Sequence, residues 1–116
     1  VNIAPYKLCI GRGLAALRFK QNNGAYHIFY FYYLQKIKSF LEMLGKGSTF
    51  KAIVKDDLEN LEVPLPPLTE QQRIAEILSA VDKELELEKK KKARLEKIKH
   101  GLMDLLLTGK VRLKGE

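Results

Sequence analysis

The chain has 116 residues, 30% charged and 46% hydrophobic, with a net charge of +7 and a pI near 9.5. Its single cysteine, Cys9, excludes an intrachain disulfide framework, and no apolar run approaches the ~20 residues that span a bilayer. With no signal peptide pattern, the expected location is cytoplasmic, and the basic balance fits either a polyanion partner or a merely soluble basic protein.

Residues 7–10 and 14–19 have strand composition and flank Gly11-Arg12-Gly13, where glycines can take positive φ and leave Arg12 projecting from a tight bend. Such a hairpin tip could cradle a phosphate, although two glycines are also ordinary turn composition. Cys9 reads as a small buried hydrophobe on the first strand rather than a nucleophile. The polar run Lys20-Gln21-Asn22-Asn23-Gly24 reads as a loop. Lys20 and Arg18 suit phosphates there, while Gln21 and Asn22 suit base edges; the plain alternative is a solvated connection.

Residues 25–44 place Ile28, Phe31, Tyr32, Leu34, Ile37, Leu41 and Leu44 at mostly helical spacing, which predicts a helix packed on the sheet. The run Phe29-Tyr30-Phe31-Tyr32-Tyr33 invites a base-stacking platform. Core packing is the stronger reading, because consecutive aromatics on a helix point in several directions and at least two must face inward. His27 and His100 have no Cys or His neighbour at ligand spacing, which gives no support for a metal site.

Gly45-Lys46-Gly47-Ser48-Thr49-Phe50-Lys51 ends this helix and returns the chain to an extended segment through Ile53. It lacks the spacing of a nucleotide-binding P-loop. What it offers is a turn whose Lys46, Ser48, Thr49 and Lys51 can donate to a sugar-phosphate backbone. Asp56, Asp57 and Glu59 follow in a short helical turn, where stabilising a helix N-terminus is a better role for them than acid–base chemistry.

The remainder is organised by one long helix. After Pro66-Pro67, Thr69 can act as N-cap with Gln72 closing a capping box, and Glu70 complements the dipole. Apolar positions then step by three and four through Ile74, Ile77, Leu78, Val81, Leu95, Ile98, Leu102 and Leu105, a heptad seam interrupted by charge. Gly109 is placed to take the left-handed C′ position. At 1.5 Å per residue the rod is roughly 57 Å long, more than a domain of this size can cover along one side. It therefore calls for a second long helix. The run Lys89-Lys90-Lys91-Lys92 spreads around the circumference, and Glu86–Lys90 and Glu88–Lys92 are favourable pairs, so a solvated face outweighs a nucleic-acid patch.

The run Val63-Pro64-Leu65-Pro66-Pro67-Leu68-Thr69-Glu70-Gln71-Gln72-Arg73-Ile74-Ala75-Glu76-Ile77-Leu78 resembles the start of a conserved helical region in the specificity subunits of Type I restriction–modification systems. Leu102-Met103-Asp104-Leu105-Leu106-Leu107-Thr108-Gly109-Lys110-Val111-Arg112 is similar to the end of that region. The segments around Gly11-Arg12-Gly13 and Gly47-Ser48-Thr49-Phe50 resemble the later part of a target-recognition domain. The resemblance implies recognition domains that each read half of a split DNA target, held apart by paired helices that dock the modification subunits. Those partners carry out adenine methylation.

The resulting expectation is an α+β chain. A partial α/β recognition domain over 1–68 precedes a long helix over 69–108, which forms an antiparallel coiled coil, and a tail over 109–116. The recognition domain is expected to continue outside this chain. The function expected is DNA recognition and scaffolding without catalysis or cofactor, the alternative being a coiled-coil assembly protein that does not bind DNA. The expected partners are double-stranded DNA, methyltransferase subunits, the restriction subunit of the full complex, and either a second copy or the other conserved helix of a longer subunit. Pairing is expected to be antiparallel, because a parallel dimer stacks Glu88 on Glu88 and Lys91 on Lys91, whereas reversal sets Glu88 opposite Lys91 and Ile77 opposite Leu102.

Overall fold

The structure is a computed structural model that describes residues 1–11, 13–20, 24–44 and 55–115. Among these, four helices follow in order: α1 (His27–Lys36), α2 (Lys38–Leu44), α3 (Lys55–Glu59) and α4 (Leu68–Leu106). No strand occurs among the described residues, which overturns the expected α+β class and its sheet. Residues 7–10 and 14–19 are irregular, and Leu8, Ile10, Leu14 and Leu17 are exposed. A strand exists only through a ladder partner, and a lone two-stranded hairpin is marginal in water. Cys9 is likewise exposed rather than buried on a strand. The expected extended segment through Ile53 lies outside the described residues.

The chain divides into two compact units, Val1–Leu78 and Ser79–Glu116. In the first, the core is small: Phe29, Tyr30 and Leu34 of α1, Leu41 of α2, and Ala75 of α4 are buried. Phe29 and Tyr30 meet edge to face with ring centroids 5.1 Å apart, while Phe31, Tyr32 and Tyr33 are half-buried. The aromatic run is thus mainly packing. The expected single helix over 25–44 is interrupted at Ile37 (φ −89°, ψ 14°). The break is slight, because Ile37 N–H still reaches Tyr33 C=O at 3.1 Å and Leu41 N–H reaches Ile37 C=O at 3.0 Å.

α4 begins one residue before Thr69. Pro67 supplies the cap carbonyl, accepting from Glu70 N–H at 2.9 Å and Gln71 N–H at 3.1 Å. Pro66 is held out of the helix because Pro67 crowds the α region of the residue before it. Thr69 therefore lies inside the first turn, and the Thr69–Gln72 capping box is replaced by a different arrangement around Gln71.

In the second unit every described residue is exposed apart from half-buried Ser79. The helix end follows the expected pattern. Gly109 has φ +74°, its N–H meets Leu106 C=O at 3.3 Å, and Val111 N–H meets Leu105 C=O at 3.0 Å. The Thr108 hydroxyl donates to the Asp104 carbonyl, so the last turn's carbonyls are satisfied without a partner chain.

Candidate interaction site: a hydrogen-bonded junction and an uncovered seam

Two features stand out from the residues upward. The first is the junction around Gln71, which has 0% exposure although it is polar. Burying an amide is tolerated when its donors and acceptor are all engaged. Here Oε1 accepts Tyr26 N–H at 2.8 Å, and Nε2 donates to Gly24 C=O at 2.8 Å and Pro66 C=O at 2.7 Å. Gly24 is in the left-handed region at φ +68°, which turns the chain into α1 and presents its carbonyl to the amide. A reciprocal link runs from α1: the Tyr30 hydroxyl donates to Pro64 C=O at 2.8 Å. The Tyr30 ring stacks on Phe19 with centroids 5.4 Å apart. Burial, and secondarily neighbouring Tyr33, pushes the Tyr30 phenol above its ordinary pKa.

Neither residue was singled out by the sequence. The signal available for Gln71 is its place four residues before the small, 2% exposed Ala75, on the same inward stripe of the helix. Beside the junction, Phe29, Tyr32, Tyr33, Lys36, Ile74 and Leu78 line an open groove of about 660 Å3.

The second feature is the seam of α4. Ile74 is half-buried within the first unit. Ile77, Val81, Leu95, Ile98, Leu102 and Leu105 are between 43% and 58% exposed, and Leu78 is 37% exposed. Leu106, beside Leu105 in the seam, is exposed too, and Leu85, Leu87 and Met103 add apolar surface that the heptad reading left out. In the second unit, Leu95, Ile98, Leu102, Met103 and Leu106 border an open apolar groove of about 350 Å3. The charged middle is occupied locally by Lys90–Glu86 at 3.6 Å, Lys91–Glu88 at 3.5 Å and Lys92–Glu96 at 3.8 Å. The expected Glu86–Lys90 pair is present, whereas Glu88 pairs with Lys91 rather than Lys92. Such exposed pairs add little stability.

Of the residues assigned to DNA contact, Arg18 and Lys20 are exposed. Arg12, Gln21, Asn22, Lys46, Ser48, Thr49 and Lys51 lie outside the described residues. No group of three or more His, Cys, Asp or Glu side chains among the described residues could hold a metal ion. No helix among the described residues is long and apolar enough to cross a membrane.

A long helix with an exposed apolar seam, joined at its start by buried hydrogen bonds to a small aromatic core, defines the class: a small helical module with one extended helix. Its family follows from comparison. Residues 1–97 match the Type I restriction modification DNA specificity domain. The chain is 53% identical over 98% of its length to the type I restriction enzyme MjaX specificity subunit of Methanocaldococcus jannaschii, of which it covers 27%. It is 39% identical over 75% of its length to the MjaVIII specificity subunit of the same organism, covering 20% of that protein. It is 42% identical over 60% of its length to the MjaIX specificity subunit, covering 17% of it. The chain belongs to the family of Type I restriction modification DNA specificity proteins, and it spans about a quarter of the length of its MjaX relative.

Proposed function

We propose that this chain is a DNA-recognition and scaffolding segment of a Type I restriction–modification specificity subunit, acting without catalysis of its own. The scaffolding half rests on one observation: the apolar seam of α4 is left open to water from Ile77 to Leu105. Apolar stretches exposed on one helix on both sides of its charged middle support an interface. The pairing that suits it is antiparallel, because reversal sets Glu88 of one helix opposite Lys91 of the next, where a parallel pair stacks Glu88 on Glu88 and Lys91 on Lys91. Partners of this assembly are double-stranded DNA and the methyltransferase subunits that the paired helices dock.

The recognition half is supported by kinship to specificity subunits and by the +7 net charge. We place phosphate contacts at Arg12, Arg18, Lys20, Lys46 and Lys51, with Ser48 and Thr49 as supporting donors, and base contacts at Gln21 and Asn22. In the subunit assembled with its modification partners, DNA affinity should fall steeply with salt as counterions are released. Changing Lys46 and Lys51 together to Ala should weaken binding across all sequences and reduce the salt slope by about 2. An unchanged affinity at every salt concentration would remove these two residues from the contact surface. If the parent itself shows no salt-dependent binding, the chain is an assembly protein alone.

A further inference from the structure

We propose that the open groove between α1 and the start of α4 seats the C-terminal end of α4 from a second copy of this chain, with Met103 and Leu106 of that copy turned into it. The proposal rests on the antiparallel pairing above and goes further by assigning to the same partner a surface outside the seam, on α1.

Two apolar grooves carry it. The first, of about 660 Å3, lies between Tyr32, Tyr33 and Gln35 on α1 and Ile74 and Leu78 on α4. The second, of about 350 Å3, is bordered near the helix end by Leu102, Met103 and Leu106. Leu102 and Leu106 follow Ile74 and Leu78 by whole heptads, so in a coiled pair they return to the same flank of the helix. The seam alone does not account for these grooves. A two-helix seam covers the line through Ile74, Ile77, Leu102 and Leu105, whereas Leu78 and Leu106 flank that line, Met103 lies behind it, and all three are exposed.

Chain direction decides what the first groove meets. In a parallel pair the start of α4 lies beside the partner's start, and the two kinds of groove stay apart. In an antiparallel pair turned about the point between Lys89 and Lys90, the last turns of the partner's α4 run past Ile74 and Leu78. A two-fold axis perpendicular to the plane of the pair reverses the helix direction and leaves like flanks on the same side. Leu106 and Met103 of the second copy are thereby carried to the side on which Tyr32, Tyr33 and Gln35 stand. Tyr32 and Tyr33 are half-buried, and a flexible methionine is suited to fill an irregular gap beside aromatic rings. Each apolar groove then covers the other, twice in every dimer.

The test uses this chain in solution and reads two things, the dimer dissociation constant by sedimentation equilibrium and the pattern of cross-links. Met103→Gln keeps size, charge and helix propensity at an exposed position, so helicity should stay at the parent's value. The dimer should weaken about tenfold, the scale of leaving a methionine uncovered. Gln35→Cys and Met103→Cys, each with Cys9→Ser, should give a mixed product with a short thiol cross-linker when combined. Gln35 is exposed, so this second measurement does not depend on the outcome for Met103→Gln. The pairing is read separately, from cross-linking of Ile77→Cys with Leu102→Cys in the same background. If that product forms while the 35–103 product does not, or while Met103→Gln dimerises as the parent does, the helices pair as stated and the groove belongs to some other partner, which overturns the proposal. A parent that stays monomeric, or that gives no 77–102 product, is the failure of the antiparallel reading itself and removes the proposal with it.

Discussion

Tyr30 and Gln71 show how much can depend on two side chains in a core this small. Tyr30 is 5% exposed, and its phenol works as a donor to Pro64 C=O, a role only the neutral form can play. Burial and the proximity of Tyr33 raise its folded-state pKa. A raised pKa means the folded state holds the proton after the unfolded chain has lost it. The hydroxyl's contribution is therefore fully present below the unfolded value of about 10, and it is lost as pH rises through the higher folded value. In an ultraviolet titration of the five tyrosines, one should lag the others. That lagging component should vanish in Tyr30→Phe, and a Tyr30→Phe titration curve as wide as the parent's would show that another tyrosine is responsible. Gln71 teaches a related lesson about sequence reading: the doublet Gln71-Gln72 announced a glutamine at the helix start, but a one-residue difference moves a side chain about 100° around the helix. Only the position of the neighbouring carbonyls selected which one turned inward.

At the scale of elements, the two ends of α4 differ in how they are terminated. The N-terminal end is made by Pro67 and the junction, and Thr69 has no capping role. Thr69→Ala should change the melting free energy by less than about 0.5 kcal/mol, the range of a surface substitution. The C-terminal end depends on Gly109 at φ +74°. Gly109→Ala places a Cβ in a left-handed conformation and should cost about 1–2 kcal/mol, although open space surrounds the added atom. Helicity against denaturant, recorded for both variants, checks the contrast; a Thr69→Ala loss equal to that of Gly109→Ala would restore the cap. The C-terminal stop was legible because glycine's freedom is a property of the residue itself. The break at Ile37 was not, because no Gly or Pro marks it.

For the whole molecule, the unsatisfied requirement is cover for the α4 seam. Ile77 and Leu102 are 58% and 50% exposed, and the proposed antiparallel pair, with its two-fold axis between Lys89 and Lys90, would set them opposite each other. Ile77→Cys and Leu102→Cys, each in a Cys9→Ser background because Cys9 is exposed, should cross-link with each other when mixed and far less with themselves. Self-cross-linking of each variant, without the mixed product, would mean the helices run parallel. If the seam is instead covered by another helix of a longer polypeptide, the mixed product should disappear once that polypeptide is used.

From its sequence alone, this chain determined a proline-stopped long helix, its glycine end, its interrupted heptad seam and its membership of a specificity family, since periodicity, turn chemistry and motif are local properties of the residues. The tertiary structure decided that the N-terminal stretch carries no strand among its described residues, that Phe29 and Tyr30 are the aromatics that close the core, and that Gln71 rather than Thr69 secures the start of α4. Those outcomes depend on which backbone groups meet across distances of tens of residues. A ladder that finds no partner, and an amide that finds three, are both settled by proximity in space rather than by any preference of the residues themselves.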